Sequence, residues 1–424
     1  MNNIATIEIL IIKEQMNEIK DKKQVSKLIF LFACTYMVSY LTRINYGTII
    51  SAMVTQTGFT KDSLSLALTG SFITYGAGQV VSGIMGDRIS PKRLVSCGLT
   101  VTVAMNILIP LCGHPWLMCA IWCVNGFAQS FMWPPIVRLM SGLLSEKDYQ
   151  TASVRVSWGS SVGTILLYLC APLILAVLPW KWVFWICAMG GVAMLLVWHK
   201  SAPDVPSVKK EKCSNMEKQS TGRIFSPLII AVMAAIALQG MLRDGVTTWM
   251  PSYISETYHL SNGTSILSGV LLPLFGIASF QVASRMYGGK LKSPVTCAAI
   301  IFAVGAFAAL GLFFLNGTSA IGSVLLSALL TGCMHGVNLI LICMIPPFFK
   351  AQGNVSTVSG VLNASTYIGS AISTYGIAKL SDSIGWNNVV FLWFLIALGG
   401  AIICVVSIPA WRRKFSEKWG KLER

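Results

Sequence analysis

Charge is what this chain has least of. Of 424 residues only 11% are Asp, Glu, Lys or Arg, while 54% are hydrophobic. A soluble domain carries roughly 25% charged residues, so a water-soluble enzyme or binding module is excluded. Acid is scarcer still, with 16 Asp and Glu against 32 Lys and Arg, and there are four histidines. Acid–base chemistry has few groups to draw on, and no nucleophile–base constellation has a workable spacing. The twelve cysteines are scattered, most of them in apolar runs (Cys34, Cys170, Cys297, Cys404), with no CxxC and no nearby histidine cluster. They read as small buried hydrophobes, not as disulfides or metal ligands. No glycine-rich run is a nucleotide loop, and Met1–Lys27 has no cleavable signal pattern. No enzymatic activity, cofactor or metal is expected.

What is present is long apolar runs. Twelve predicted spans cover about 27–53, 63–88, 92–112, 115–143, 149–178, 181–200, 226–257, 263–289, 293–315, 318–348, 354–382 and 387–411. Each is long enough to cross a bilayer as a helix. The lipid bilayer is thus one partner, and nucleic acid is not one despite the +16 net charge. The basic residues sit in short connections and tails: Lys13, Lys20, Lys22, Lys23 and Lys27; Arg88, Lys92 and Arg93; Lys200, Lys209, Lys210, Lys212, Lys218 and Arg223; Arg412, Arg413, Lys414, Lys418, Lys421 and Arg424. The opposite connections show little beyond Lys61 and Lys181. By the positive-inside rule both termini and the central loop are cytoplasmic, in a cell (inner) membrane. The organisation predicted is a cytoplasmic tail 1–26, a six-helix bundle 27–200, a polar linker 201–225 with Pro203 and Pro206, a second bundle 226–411 and a tail 412–424. A monomer is expected. Ile7–Ile12 is too short to span and reads either as an interfacial helix or as a frayed tail.

Against this apolar background two arginines stand out. Arg43 lies near the middle of the first span, where a guanidinium costs roughly 2.5–3.5 kcal/mol on insertion scales. Arginine cannot escape by deprotonating, so a cavity, a partner or an anion must compensate it. Tyr36, Tyr40, Arg43 and Gly47 share one helical face. Arg243 is placed alike in the seventh span, on a face with Gln239 and Thr247. The two are 200 positions apart, about half the chain, as an internal repeat requires. They are predicted to meet across a pseudo-symmetric pore and hold an anion.

Three more echoes follow in the same order. Gly86-Asp87-Arg88 with Pro91-Lys92-Arg93 has a degraded copy in Gly288-Gly289-Lys290 with Lys292 and Pro294. Trp133-Pro134-Pro135 with Arg138 returns as Ile345-Pro346-Pro347 with Lys350, and Ser161-Val162-Gly163 as Tyr367-Ile368-Gly369. The offsets run from 200 to 212. The Gly86 motif sits in a cytoplasmic turn, where glycine allows close helix approach and Asp87 can accept from a neighbouring helix end. Paired prolines break the fourth span near its end. Gly86, Asp87, Arg88, Arg93, Trp133, Pro134 and Pro135 are the expected gating or structural motif.

The Gly86–Arg93 turn resembles the motif between the second and third helices of the major facilitator superfamily. With Arg43-Ile44-Asn45-Tyr46, Leu242-Arg243-Asp244-Gly245, Trp249-Met250-Pro251-Ser252-Tyr253 and the run Gly126 to Arg138, the chain resembles that superfamily's organophosphate:phosphate antiporters, the glycerol-3-phosphate and hexose-phosphate exchangers. The resemblance runs from about Arg43 to Trp386. It implies an all-α polytopic membrane fold of twelve transmembrane helices in two pseudo-symmetric six-helix bundles. It also implies alternating-access exchange of an organic phosphate ester or related organic anion for inorganic phosphate, with one arginine from each half gripping the phosphate. Substrate contacts on this reading are Arg43, Arg243, Tyr36, Tyr40, Tyr75, Gln79, Gln129 and Tyr367. For Gln79 and Gln129, and for Asn363 and His335, helix–helix hydrogen bonding is an equal alternative. Two departures matter: Gln79 stands where the glycerol-phosphate members carry lysine, and Ser160 near where they carry histidine. A less charged or differently shaped ligand is implied. Two other functions stay open: proton-coupled symport of a sugar acid or carboxylate, with Asp244 the one acid convincingly mid-span, and a membrane sensor of a phosphorylated metabolite.

Overall fold

The computed structural model describes residues 18–205, 226–259, 271–289 and 291–415. The Ile7–Ile12 stretch, the linker cations from Lys209 to Arg223, the start of the span expected at 263, Lys290, and Lys418, Lys421 and Arg424 lie outside the described residues. Those described form helices joined by short turns, with no strand among them. Nine of the described segments are long and apolar enough to cross a membrane. The other three expected spans are helical too: Pro115–Gln129 resuming as Trp133–Leu143, Leu271–Gly288, and the part of Val355–Lys414 that precedes Gly385. The architecture is therefore all-α and polytopic.

The chain divides into two compact units. One is Met1–Glu211 with Pro346–Ala364; the other is Lys212–Ile345 with Ser365–Arg424. The sequence-based boundaries gave residues 226–411 to the second bundle. The structure adds Pro346–Ala364 to the first unit because residues 83–87 hold the start of the Val355 helix, as described below.

In the first unit, the helices are Lys22–Thr48 with its short continuation Ile50–Thr57, Lys61–Arg88, Pro91–Leu108, the broken Pro115–Leu143 pair, Glu146–Val177 and Lys181–Ser201. Their starts are set by side chains that accept from the unsatisfied first-turn amides: Asp21 from Lys23, Thr60 from Ser63, and Ser145 from Asp148. Pro91 and Pro115 occupy first-turn positions, where no amide is missed. The Trp133-Pro134-Pro135 break takes the form of three tight i+3 bonds, from Ser130, Phe131 and Met132 to Phe127, Ala128 and Gln129, after which the helix restarts at Trp133. Gly159 and Gly163 bring the Glu146–Val177 helix against the carbonyls of Ala33 and Met37, so backbone packs on backbone. At the far end Tyr46, Trp122, Phe184 and Trp180 form an aromatic core with ring centroids 5.1–5.8 Å apart along the series.

The second unit contains Pro227–Tyr258, Leu271–Gly288, Pro294–Leu315, Ala320–Asn338 and most of Val355–Lys414. The two last expected spans run as one helix broken only at Gly385, whose φ of 75° and ψ of 164° turn the chain within a single residue. Next to that break Trp386 donates to Glu256 at 2.7 Å and Tyr253 to Asn316 at 2.9 Å. Gly240, Gly245 and Gly369 sit so close to Thr366, Ser373 and Ala237 that no Cβ fits at any of them. This seam carries Arg243 on one side and Tyr367 on the other.

Candidate functional site

In the first unit the apolar spans hide a polar seam. Asn45 donates to Asn106 at 2.7 Å, Asn106 to the carbonyl of Thr42 at 3.0 Å, Asn125 to that carbonyl at 3.2 Å, and Gln129 to the Thr42 hydroxyl at 2.9 Å. All are buried. Away from water such bonds lock helices in register. Here they fix the turn on either side of Arg43 against two neighbouring helices. Gln129 is therefore spent on packing: it is 1% exposed and bonded to Thr42, which takes it out of the set of ligand contacts expected from the sequence. Asn45, Asn106 and Asn125 were not singled out as a group, although three asparagines inside apolar spans are a signal that composition alone displays.

With its helix fixed, Arg43 meets aromatics. Its guanidinium carbon lies 4.2 Å from the Tyr40 ring centroid and 4.6 Å from that of Tyr75. Tyr40 lies 5.2 Å from Tyr36, and Tyr36 lies 5.1 Å from Trp133. Four expected contacts, Tyr36, Tyr40, Arg43 and Tyr75, are thus brought together, and Trp133 from the proline break backs them. Rings over the guanidinium face attract it electrostatically. In a guanidinium the in-plane N–H groups are the donors that match an oxyanion pair.

Gln79 lies one turn beyond Tyr75 on the same helix. It is fully buried, and neither its amide nitrogen nor its amide oxygen has a hydrogen-bond partner among the described residues. Leaving such groups unsatisfied costs about 1–3 kcal/mol each. Ser160 is half-buried and donates to the Ser157 carbonyl at 2.7 Å.

In the second unit Arg243 makes a bidentate pair with its neighbour Asp244, Nε to Oδ1 at 2.7 Å and an Nη to Oδ2 at 2.9 Å. The side chains are 16% and 30% exposed. Ser370 donates to the same carboxylate from the facing helix. Tyr367, half-buried, stands three residues before Ser370. Gln239 is buried and donates to the Met334 carbonyl at 3.1 Å, so it serves packing although its spacing puts it on the Arg243 face. His335 bonds the Thr331 carbonyl of its own helix. Ser370 was missed, and nothing in the sequence marks it, since its partner is 126 residues away.

The Gly86 motif is a helix cap supplied from outside the helix. The two Asp87 oxygens accept from the amides of Ser356 and Thr357 at 2.9 and 2.8 Å, in the first turn of the Val355 helix, where anions are favoured. Arg138 donates to the carbonyls of Gly86 and Ile89 and so holds the turn. Gly83 and Gly360 touch backbone to backbone. Arg88 and Arg93 are exposed, and Trp133, Pro134 and Pro135 are buried. Asp87→Ala removes both acceptors and should lower thermal stability by about 1–2 kcal/mol; differential scanning of purified protein reads this, and an unchanged melting temperature denies the cap any weight.

A model of the family described as Major Facilitator Superfamily matches residues 32–374. The chain is 23% identical over 410 residues to the probable hexose phosphate transport protein of Chlamydia muridarum, covering 89% of this chain and 88% of that one. It is 24% identical over 406 residues to the glycerol-3-phosphate transporter of Bacillus subtilis, covering 88% and 89%. Among solved structures, the transporter FucP in its outward conformation matches with a TM-score of 0.72 at 12% identity, over 89% of this chain and 97% of that one. That last likeness is one of fold.

Proposed function

Because the chain belongs to the Major Facilitator Superfamily, we propose that it is a secondary transporter exchanging an organic phosphate ester, or a related organic anion, for inorganic phosphate, with Arg43 and Arg243 binding the transported anion. The observation that carries this reading is the Arg43 guanidinium held 4.2 Å from the Tyr40 ring centroid and 4.6 Å from that of Tyr75. A cation kept inside an apolar span needs compensation, and two tyrosine rings at these distances from its guanidinium carbon supply part of it. The names of the two relatives above support the phosphate-bearing class. Tyr36, Tyr75 and Tyr367 line the anion's path on this proposal, and Asp87 with the Trp133-Pro134-Pro135 break forms the gating motif. The basic tails support the reading that both termini are cytoplasmic and that the membrane is an inner cell membrane.

The test is transport by purified protein in vesicles. Vesicles loaded with inorganic phosphate should take up sugar phosphates, and empty vesicles should take up far less. Equal uptake in both sinks the exchange proposal.

Gln79 bears on substrate choice. An uncharged amide where the family resemblance implies a lysine lowers the positive charge near the ligand and favours a substrate of lower charge than glycerol phosphate. Gln79→Leu separates packing from function. Removing the unsatisfied amide should leave the protein as stable or more so, by about 1 kcal/mol, while exchange falls about tenfold. Full exchange by Gln79→Leu excludes an amide–ligand contact.

One observation favours a second reading. Asp244, paired to Arg243 at 2.7 Å, is a carboxylate that a proton could neutralise, and a proton-coupled symporter of an organic anion would need such a group.

A further inference from the structure

A groove of about 570 Å³ opens in the first unit between the Lys22–Thr48 and Glu146–Val177 helices. It plays no part in the anion site. Lys27, which lines it, stands sixteen residues before Arg43, and at about 100° per residue that puts it roughly 160° around the helix from Arg43. Three cations, Lys23, Lys27 and Arg155, lie in its lining, and among the described residues no Asp or Glu does. Phe30, Trp158 and Val162 form much of the rest, and Phe30 is 70% exposed.

Height along the helices sorts these groups into two zones. The two helices are an odd-numbered pair of spans and run the same way. Gly159 packs on Ala33, which levels them. Arg155 lies one turn toward the helix start from Gly159, and Lys27 and Lys23 lie further in that same direction. Val162 lies the other way. All three charges therefore sit at the end where the chain enters the bilayer, and the long Arg155 side chain can reach that level. The apolar wall continues toward the membrane interior. We propose that this groove binds an anionic glycerophospholipid, its phosphate among Lys23, Lys27 and Arg155 and one acyl chain along Phe30, Trp158 and Val162. Charge and polarity match this occupant at both ends: free phosphate has no use for the apolar wall, and a neutral lipid has none for the cations.

Native mass spectrometry of the full chain in neutral detergent, titrated with phosphatidylglycerol or phosphatidylcholine, tests this. The wild type should retain phosphatidylglycerol in preference. Each basic group near the surface contributes roughly fivefold in affinity, so Lys23→Gln/Lys27→Gln/Arg155→Gln should lose on the order of 100-fold. Arg155→Gln alone should lose about fivefold, a reading that remains if the triple variant fails to fold. Lys27→Arg/Arg155→Lys should keep the preference. Arg43→Ala should keep it too, which separates this site from the transport site. The proposal is overturned if the Gln variants bind phosphatidylglycerol like the wild type, or if the charge-preserving variant loses it. Displacement of the lipid by millimolar inorganic phosphate also overturns it, by making the groove a site for free anions.

Discussion

Arg43→Ala should reduce phosphate-ester exchange by about 10²–10⁴-fold in phosphate-loaded vesicles, and Arg243→Ala by at least as much. The magnitude follows from removing one partner of a largely desolvated, doubly hydrogen-bonded charge pair, which costs about 3–5 kcal/mol, at 1.36 kcal/mol per decade. Lysine should recover little at position 43. An ammonium is a point charge with no planar fork, so it cannot reproduce the contact that the guanidinium makes with the Tyr40 and Tyr75 rings.

The two alanine variants should differ in stability. Truncating Arg43 uncovers the Tyr40 ring, which still packs on Tyr36, itself against Trp133. Truncating Arg243 strands Asp244, which loses both guanidinium bonds and keeps Ser370. A carboxylate left there also repels an incoming anion, by on the order of 1–2 kcal/mol at its partial exposure. Arg243→Ala should therefore melt earlier than Arg43→Ala, and Arg243→Ala/Asp244→Ala should regain that stability without regaining transport. Substrate affinities within a few-fold of wild type in both single variants would remove the arginines from the site.

Why these residues were legible, and others not, is a matter of which interactions leave a trace along the chain. Arg43 declares itself because a permanent charge inside an apolar run has no neutral form to retreat to. Tyr36 and Tyr40 follow from helical spacing, and the structure stacks them as that spacing implies. Gln129 and Gln239 show the limit of the same argument. Periodicity gives the angle between residues on one helix but not which angle faces the ligand, and both amides turn to neighbouring helices. Tertiary partners across long separations leave no local mark, which is why Ser370 on Asp244 and Trp133 on Tyr36 were invisible. Boundaries slipped where hydropathy and hydrogen bonding disagree. The first helix begins at Lys22, five residues before the apolar run, because Asp21 caps it. At Gly385 the loop expected between two spans shrinks to one residue, since glycine can take the φ of 75° that ends one helix and lets another begin at once.

Asp244→Asn should leave exchange intact, bind substrate about tenfold more tightly, and suppress the movement of the unloaded carrier. In the structure Arg243 already grips an anion, the carboxylate beside it. A substrate phosphoryl group has to displace that carboxylate or share the guanidinium with it, so part of its binding energy is lost to the competition. Both side chains keep some solvent exposure, 16% and 30%, and screening at such sites limits the pair to on the order of 1–2 kcal/mol, hence about tenfold. Asp244 also cancels the Arg243 charge when no substrate is bound. Without that cancellation Arg243 keeps its charge without the neighbouring carboxylate, and closing the low-dielectric interior over it is costly. A ligand can bias the conformational equilibrium only by its differential affinity for the states, and a resident carboxylate weakens that bias by doing part of the ligand's work. The wild type should thus show measurable net efflux into phosphate-free medium, and Asp244→Asn should show less, with the ratio of exchange to net flux rising about tenfold. Radiolabelled efflux from vesicles with and without external phosphate measures both quantities. If Asp244→Asn instead abolishes all uptake, and wild-type uptake follows an imposed pH gradient without internal phosphate, Asp244 is the proton-carrying group of a symporter and the exchange mechanism fails.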